Sequence, residues 1–379
     1  MNLSEEQRLI RDSVRDYVQS RVLPYAADWD RDGHFPAEQL REMAELGLYG
    51  MIIPEEWGGS GADYLSFALA LEEVAAGDGS CSTVLSVNNS VVCGSLLGSG
   101  SEYLKQTYLR PLATGEMLGC FCLTEPHAGS DAAALETRAQ RDGDDYVLNG
   151  SKAFITSGKN ADVAIVFAVS DPGAGKKGIS AFVVPTGNPG YQVGGVERKM
   201  GQRASDTAQV FLKDCRIPAD HLIGAEGEGY RIALMNLESG RIGIGAQCVG
   251  MARAAYECAL AYARERVTFG KPIIEHQAVA FRLVDMATQL EASRLMVHNA
   301  ARLRDAGESC LKQASMAKLF ASEAAEQICS AAIQVLGGYG YLRDFPLERI
   351  ARDVRVAQIY EGTSDVQRIV IAREIAAES

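Results

Sequence analysis

A glutamate near the C-terminal end of the sequence has the surroundings that a general base needs. Glu361 directly follows Ile359 and Tyr360. A Ser364-x-x-Gln367 pattern comes next and predicts a capped helix start. A carboxylate in a mostly apolar, dry setting has a raised pKa, so it could accept a proton near neutral pH. The alternative is a solvated charge just before a helix, and the residues alone leave both interpretations open.

Two polar segments in the middle of the chain could bind a flat heterocycle or a phosphate. The turn from Leu123 to Asp131 follows an apolar run, and its hydroxyls and backbone N–H groups could hydrogen-bond a ring edge or a phosphate. Phe154 and Thr156 place an aromatic face beside a hydroxyl, which could stack on a flat ring and hydrogen-bond it. The alternatives are an ordinary strand-ending turn for the first segment and plain strand packing for the second.

Three cations lie in the short run from Arg264 to Lys271, downstream of a Glu238-Ser239-Gly240-Arg241 segment. Arginine could grip a pyrophosphate through its planar fork and lysine as a point charge. The alternative is a solvated helix end whose cations complement the helix dipole. Other common sites are absent from the sequence: the histidines are dispersed without a zinc pattern, and there is no GxGxxG, GxSxG or Walker A motif. We expect no metal site.

The composition is that of a soluble globular protein. The 379 residues carry 37 Lys+Arg against 49 Asp+Glu, a net charge of −12 that repels phosphate backbones, so we expect no nucleic-acid partner. No apolar run approaches the ~20 residues that span a bilayer, and the charged N-terminus lacks the apolar stretch of a secretory signal. Nine cysteines without paired clusters suggest free thiols. We therefore expect a cytoplasmic or matrix-like location without membrane association.

The elements that would position these residues fall into three blocks, so the predicted fold class is a multi-domain α+β protein. Residues 1–117 are predicted to be helical, beginning with a capping box at Ser4 and Gln7. Residues 118–222 are predicted to form a small β domain, in which Asn149-Gly150 marks a hairpin turn. Residues 223–379 are predicted to form a bundle of long helices over 226–266, 275–305, 311–336 and 364–377.

These segments, in this order, resemble the acyl-CoA dehydrogenase family of flavoenzymes, most closely its short-chain or short/branched-chain members. The resemblance covers nearly the whole chain and implies an N-terminal helical domain, a middle β domain and a C-terminal four-helix bundle. The strings that carry it are TEPHAGSD, GSKAFIT, MGQRASDT, LESGRIGIGAQ, RERVTFGKPIIEHQ, QVLGGYGY and IYEGTSDVQ.

The resemblance assigns FAD as the cofactor and gives roles to individual positions. Glu361 is implied as the catalytic base, because Gly240 stands where other branches of the family carry theirs. His127 replaces the usual glycine, Phe154 the common tryptophan, and Asp365 a longer side chain. The residues implied to bind FAD are Phe121, Leu123, Thr124, Ser130, Phe154, Thr156, Arg266, Phe269, Gln277, Gln334, Gly338, Thr363 and Asp365. Those implied to contact the acyl-CoA substrate are Ser130, Glu238, Arg241, Glu361 and Gly362.

The implied reaction is α,β-dehydrogenation of an acyl-CoA thioester to a trans-2-enoyl-CoA. Glu361 removes the α-proton, FAD accepts the β-hydride, and an electron-transfer flavoprotein reoxidises the cofactor. A homotetramer built as a dimer of dimers is implied, in fatty acid β-oxidation or branched-chain amino acid catabolism. Three alternatives stay open: a carrier-protein-linked acyl dehydrogenase, a nitroalkane oxidase (which uses Asp at the base position) and a non-catalytic binding member, which should need a basic C-terminal extension.

Overall fold

The fold is an α–β–α succession, seen here in a computed structural model that describes residues 3–378. The predicted multi-domain α+β architecture is confirmed. The first helical segment ends at Thr114, the first strand begins at Gly119, and the long C-terminal helices start at Gly229. The helices before the sheet are α1 (Glu5–Arg21), α2 (Ala26–Asp32), α3 (Ala37–Glu45), α4 (Tyr64–Gly77), α5 (Gly79–Val87), α6 (Gly94–Ser99), α7 (Glu102–Leu104) and α8 (Arg110–Thr114).

Side-chain caps define where several of these helices begin. Ser4 Oγ accepts a hydrogen bond from the Gln7 N–H, and Gln7 Oε1 accepts one from the Ser4 N–H, each at 3.0 Å, so the predicted capping box is confirmed. Asp63 caps α4 and Asp78 caps α5, each by accepting a hydrogen bond from the backbone N–H three residues later. Because α4 and α5 are buried along nearly their whole length, they form the centre of the N-terminal helical part.

The middle of the chain forms a twisted mixed sheet. Its strands lie in the order β6-β7-β3-β2-β4-β5-β8, and β1 pairs in parallel with β4. A separate short pair, β9 and β10, follows α9. The strands are β1 (Gly119–Cys122), β2 (Arg138–Asp142), β3 (Asp145–Thr156), β4 (Val163–Val169), β5 (Ile179–Pro185), β6 (Tyr191–Val196), β7 (Thr207–Pro218), β8 (Leu222–Ile223), β9 (Val267–Thr268) and β10 (Lys271–Pro272).

The predicted hairpin turn at Asn149-Gly150 is wrong. Strand β3 runs straight through both residues, and its pairing with β7 shifts register between Leu148 and Gly150, which marks a bulge. Gly150 has φ 156°, and a Cβ there would lie 2.4 Å from Thr137 Oγ1. The glycine is therefore needed for the bulge and for the close approach to the segment that carries Thr137. The true hairpin turn joins β2 to β3 at residues 143–144.

Long helices make up the C-terminal part and agree with the predicted pattern. The glycines in α9 do not break it, because several let neighbouring helices approach closely: a Cβ on Gly250 would lie 2.1 Å from Glu72 O of α4. Within residues 3–378, no helix combines the length and the apolar character needed to cross a membrane. The helices are α9 (Gly229–Glu265), α10 (Gln277–Asp305), α11 (Leu311–Leu336), α12 (Leu347–Val354) and α13 (Ser364–Ala377).

Candidate active site

Glu361 lies in a left-handed turn between α12 and α13. Its φ is 52° and that of Gly362 is 93°, so two successive residues adopt a conformation that is strained for the glutamate. The helix that follows is capped by Thr363, whose Oγ1 accepts from the Val366 N–H at 3.2 Å. The prediction that Ser364 caps this helix is therefore wrong by one residue. Such a strained residue persists only where its surroundings hold it.

Two buried side chains hold the turn in place. Gln367 Nε2 donates to the carbonyl oxygens of Glu361 at 3.2 Å and of Gly362 at 3.0 Å. Lys318 Nζ, from the middle of α11, donates to the same Gly362 oxygen at 2.7 Å. These contacts satisfy the carbonyls of the turn from inside the bundle, and they fix the direction in which the Glu361 side chain leaves the backbone.

The Glu361 carboxylate faces α9 at Gly240. A Cβ on Gly240 would lie 2.1 Å from Oε2 of Glu361, and Oε2 is buried without a hydrogen-bond partner among the described residues. Burial raises the pKa of Glu361 to about 7, although the positive charges of Lys318 and Arg241 act in the opposite direction. The arrangement supplies a carboxylate that can accept a proton near neutral pH.

Tyr360 anchors the backbone directly before the candidate base. Its hydroxyl donates to Gln247 Oε1 at 2.5 Å and accepts from Gln202 Nε2 at 3.4 Å. Gln247 belongs to α9, and its Nε2 donates to Gly79 O of α5 at 2.8 Å. A polar chain thus connects the N-terminal helices, the loop before β7 and the C-terminal bundle at the point where Glu361 is presented.

The segments around Thr124 and Phe154 come together in the interior of the sheet, where the residues that follow β1 lie beside β3. The Ala153 N–H donates to Thr124 O at 2.9 Å, which places the two predicted ring-binding segments side by side. Phe154 has φ 58° and is 65% exposed, so its aromatic face is open to a ligand. Leu123 is buried, Thr124 and Thr156 are partly buried, and the Phe121 ring packs on Phe167 with 4.8 Å between centroids.

A buried ion pair stabilises the backbone of these two segments. Lys152 Nζ contacts Glu125 Oε1 at 2.7 Å and also donates to the carbonyl oxygens of Leu123 at 3.2 Å and Phe167 at 2.7 Å. Both charged side chains are almost completely excluded from solvent. Because Lys152 holds the Leu123 carbonyl, the pair fixes the backbone next to Thr124.

The residues predicted to contact the substrate differ in exposure. Arg241 is buried, and its Nη1 donates to Ser315 Oγ of α11 at 3.2 Å, while its Nε has no partner among the described residues. Glu238 lies one turn earlier on α9, with its Oε1 3.6 Å from Arg304 Nη1. Ser130 is exposed on the loop after β1. The structure thus brings Arg241 and Gly362 close to Glu361 but shows no direct contact between Ser130 and this group.

A separate open cavity of about 510 Å³ lies at the far end of the bundle. Arg266 and Gly338 line it, and the Arg266 guanidinium lies 6.0 Å from the centre of the Tyr339 ring. Phe269 is 97% exposed nearby in the chain, and Gln277 and Gln334 are exposed too. The residues predicted to bind the flavin ring, such as Thr124 and Phe154, are not among those that line this cavity, so this chain alone does not bring the two predicted halves of the FAD site together.

The residues at both places fit FAD. The open face of Phe154 beside two threonines suits a flat ring, and a cavity with a guanidinium, an aromatic ring and two glycines without side chains suits a nucleotide. Thr363 lies partly buried at the start of α13, where a helix N-terminus favours anions. Asp365 fits less well, because its carboxylate is 91% exposed and lies 3.5 Å from Arg368 Nη1.

Two residues of the site were not predicted from the sequence. Lys318 contacts the turn that carries Glu361, and Lys152 holds the Leu123 carbonyl. Lys318 is the one cation within the small and apolar run Ala-Ser-Met-Ala-Lys-Leu-Phe-Ala-Ser. A lone charge inside a run that a bundle must bury was the signal that could have identified it.

Comparison with known families covers almost the whole chain. Residues 4–116 match the family model described as acyl-CoA dehydrogenase, N-terminal domain. Residues 120–215 match the middle domain of the same family, and residues 227–376 match its C-terminal domain. The three matches follow one another in the order of the helical, sheet and bundle parts described above.

Individual relatives are similar over their full length. The chain is 46% identical over 372 residues to the human mitochondrial short-chain specific acyl-CoA dehydrogenase, covering 98% of this chain and 90% of the relative. Butyryl-CoA dehydrogenase from Megasphaera elsdenii is 39% identical with a TM-score of 0.97, covering 99% of both chains. A chain in the structure "Electron transferring flavoprotein of Acidaminococcus fermentans: Towards a mechanism of flavin-based electron bifurcation" is 43% identical with a TM-score of 0.98 over 99% of both. The chain belongs to the acyl-CoA dehydrogenase family.

Proposed function

We propose that this chain catalyses the α,β-dehydrogenation of short-chain acyl-CoA thioesters to trans-2-enoyl-CoA, with FAD as the cofactor and Glu361 as the base. The observation that carries the proposal is the buried Glu361 carboxylate, whose Oε2 is unpartnered and lies against Gly240. A buried carboxylate with a raised pKa and a free oxygen is what a proton-accepting site requires.

Proton removal is the step that the chain's own residues perform. Glu361 accepts the α-proton of the thioester and becomes a neutral carboxylic acid. Because its pKa is raised to about 7, the carboxylate is a stronger base than an exposed glutamate, yet it is still substantially ionised near neutral pH. We assign the backbone N–H of Glu361 to the thioester carbonyl, where it stabilises negative charge that develops on the oxygen. FAD, when bound, supplies the hydride acceptor.

The flavin ring is assigned to the Thr124 and Phe154 segments of the sheet, and the ADP half of FAD to the open cavity of another subunit. Support comes from the exposed face of Phe154 beside Thr124, and from the Arg266 guanidinium at the cavity. The residues assigned to the ring and its neighbourhood are Phe121, Leu123, Thr124, Ser130, Phe154 and Thr156. Those assigned to the ADP half are Arg266, Phe269, Gln277, Gln334 and Gly338, with Thr363 and Asp365 near the phosphates or adenosine.

The acyl part of the substrate is assigned to the neighbourhood of Glu361 and Gly240 of α9. Ser130, Glu238, Arg241 and Gly362 are the residues proposed to contact the substrate besides Glu361. The proposed preference is for short linear or 2-methyl-branched chains, and the names of the similar short-chain and butyryl-CoA enzymes support the short length. It is further supported by Leu96, which is fully buried and packs in the same apolar cluster as Leu123.

An electron-transfer flavoprotein is the proposed electron acceptor. The structure that contains the 43% identical chain is described as that of an electron transferring flavoprotein, which supports the same partner here. We place the reaction in fatty acid β-oxidation or branched-chain amino acid catabolism. A cytoplasmic or matrix-like location is proposed because all nine cysteines are free and eight of them are buried.

A homotetramer built as a dimer of dimers is the proposed assembly, with domain boundaries after residues 117 and 222. Large apolar side chains lie exposed near the cavity and along α10, among them Phe269, Phe281 at 60% and Val284 at 59%. Exposed apolar patches of this kind mark protein interfaces. In such an assembly, Arg266 of one subunit would bind the FAD whose ring lies against Phe154 of another subunit.

Anaerobic flavin bleaching tests the proposal. The protein is mixed without oxygen with acyl-CoA thioesters from C4 to C16 and with 2-methylbutyryl-CoA, and the loss of flavin absorbance is followed. We expect butyryl-CoA or 2-methylbutyryl-CoA to have the highest kcat/KM, with a graded decline as the chain lengthens, because each methylene contributes only about 1–3 kcal/mol.

Two results would contradict the proposal at different levels. Faster bleaching by C12 or C16 thioesters would overturn the short-chain preference while leaving the reaction intact. If a carrier-protein thioester bleaches the flavin and no CoA thioester does, the acyl chain of the substrate is attached to a carrier protein and not to CoA.

A further inference from the structure

Lys318 is a completely buried lysine beside the candidate base. Its relative exposure is 0%, and it extends from the middle of α11 toward the turn before α13. Lysine is almost never fully buried unless it is paired, because burying an ammonium is costly. Here the hydrogen-bond acceptor is not a carboxylate but the Gly362 carbonyl, at 2.7 Å. The position of this ammonium therefore calls for a reason beyond packing.

The titratable groups around it come from two elements, α9 and the turn before α13. On α9, Arg241 and Cys248 face Lys318, and Glu238 faces Arg241. On the turn, Glu361 faces both Lys318 and Arg241. Burial lowers the pKa of Lys318 to about 8, while Cys248 and Glu361 act to raise it and Arg241 acts to lower it further. Lys318 and Glu361 consequently titrate in adjoining ranges, and the ammonium is present where the base begins to ionise.

We propose that Lys318 is a positioning residue for the dehydrogenation, which holds the left-handed Glu361-Gly362 turn through the Gly362 carbonyl and keeps the Glu361 carboxylate ionised before substrate binds. The inference rests on the proposed function of Glu361. Lys318 gains and loses no proton in the reaction: the α-proton moves to Glu361, and the ammonium keeps its charge throughout.

The two contributions have different signatures. An opposite charge nearby favours the ionised form of a carboxylate, so loss of the ammonium raises the pKa of Glu361. Loss of the hydrogen bond frees the Gly362 carbonyl on one side, although Gln367 Nε2 still donates to it at 3.0 Å. The turn therefore keeps one of its two supports, and the main consequence of removing Lys318 is a shift in the pH at which proton removal begins.

The experiment compares Lys318→Met with Lys312→Met in the FAD-loaded protein. Lys312 lies on the same helix and contacts Glu378 at the surface, so its replacement controls for the loss of a positive charge on α11. The rate of flavin bleaching by butyryl-CoA is measured from pH 6 to 9.5. We expect Lys318→Met to move the midpoint of the rate profile upward by at least about one unit, with roughly tenfold slower bleaching at pH 6.5 and recovery at high pH. Lys312→Met should match the wild type.

A second variant covers the case in which Lys318→Met does not fold. Lys318→Ala leaves a space that ammonium or methylamine can enter, so added amine should bring the midpoint back toward the wild-type value while sodium at equal ionic strength should not. A wild-type midpoint in Lys318→Met, or no difference between amine and sodium in Lys318→Ala, overturns the proposal. If the wild type itself is not bleached by any acyl-CoA, the proposed function has failed and not this inference alone.

Discussion

A methyl group on Gly240 would lie 2.1 Å from Oε2 of Glu361, so the missing side chain at residue 240 is what makes room for the carboxylate at residue 361. The resemblance drawn from the sequence implies that other branches of the family carry their base at the position of Gly240. The two positions therefore face the same space from opposite walls, α9 and the turn before α13, and only one of them can hold a carboxylate at a time.

Glu361→Gln should abolish proton removal while leaving the fold and the cofactor in place. Glutamine keeps the size of the side chain and the left-handed turn, but it cannot accept a proton. We expect flavin reduction by butyryl-CoA to slow by about 10²–10⁴-fold. Rapid-mixing absorbance measures the rate, and FAD content and binding of a non-reactive thioester analogue serve as controls. Wild-type reduction rates in this variant would end the assignment of Glu361 as the base.

The rate of flavin reduction should rise with pH through about 7, because burial raises the pKa of Glu361 to about 7 and only the ionised form accepts a proton. The same shift affects stability. A carboxyl whose pKa is raised in the folded state contributes stability below its unfolded pKa and loses it as the pH rises to about 7.

The stability difference between wild type and Glu361→Gln should accordingly change between about pH 4.5 and 7 and stay constant above that range. Thermal unfolding of both proteins across this range measures it, and the variant should become the more stable one as the pH rises. A flat difference would mean that the carboxylate is not buried in the folded protein.

Gly240→Ala should slow flavin reduction although it adds a single methyl group. The Cβ would displace the Glu361 carboxylate, and a displacement of about 1 Å can cost about 10²-fold in rate. Gly98→Ala is the matched control, since a Cβ on this helical glycine meets nothing within 4 Å. The double variant Glu361→Gly with Gly240→Glu should recover part of the activity that Glu361→Gly loses. Equal rates for Gly240→Ala and Gly98→Ala would show that the carboxylate can move without penalty.

Periodicity and turn chemistry predicted the helices of the bundle well, because each long helix must bury one apolar stripe and its spacing is visible locally. They failed at Asn149-Gly150. A bulge that brings Gly150 against Thr137 and a two-residue hairpin both favour the same residue pair, and only the pairing partner distinguishes them. That partner, Leu212 of β7, lies far along the chain.

Glu361 and Gly240 could be predicted as a pair because the family pattern covers both positions. The contacts of Lys318 and Lys152 could not, since each joins segments that are distant in the chain: Lys318 to Gly362, and Lys152 to Leu123. A lysine in an apolar run indicates only that its charge must find an acceptor when buried. Which acceptor it finds is decided by how helices and strands pack, and that information is not local.

Arg266→Ala should weaken FAD retention more than it weakens folding. The guanidinium lies at an open cavity, 6.0 Å from the centre of the Tyr339 ring, so its removal leaves the core unchanged while it deletes a cation for the pyrophosphate. We expect a larger fraction of apoprotein after dialysis and an unchanged unfolding midpoint of the apoprotein. Arg264→Ala, a neighbouring exposed arginine in the last turn of α9, is the control.

The oligomeric state gives the same prediction a second measurement. If the cavity binds the ADP half of a neighbour's FAD, cofactor loss from Arg266→Ala should depend on protein concentration, and sedimentation should give a tetramer for the wild type. A wild-type monomer that keeps one FAD per chain would contradict the assignment of Arg266 to another subunit's cofactor.

Breaking the Lys152–Glu125 ion pair should destabilise the part of the sheet that is proposed to bind the flavin ring. Both side chains are buried, so removing one leaves the other uncompensated, which costs about 3–5 kcal/mol. We expect a loss of this order for Lys152→Met in denaturant unfolding, with release of FAD because Leu123 O loses its donor. Arg216→Met removes two exposed ion pairs on the same sheet, with Asp142 and Asp145, and should cost at most about 1 kcal/mol for each.

Acid should reproduce this effect in the wild type. Burial acts to raise the pKa of Glu125, but the Lys152 ammonium and the hydrogen bonds to the carboxylate hold it below its usual range. A carboxyl with a lowered pKa contributes stability above its unfolded pKa and loses it as the pH falls through the folded value. FAD should therefore be released at acidic pH as Glu125 becomes protonated, and flavin fluorescence during acid titration measures that release. Glu125→Gln, which is uncharged at every pH, should release FAD at neutral pH and lose the acid transition. An unchanged transition in this variant would show that another group controls it.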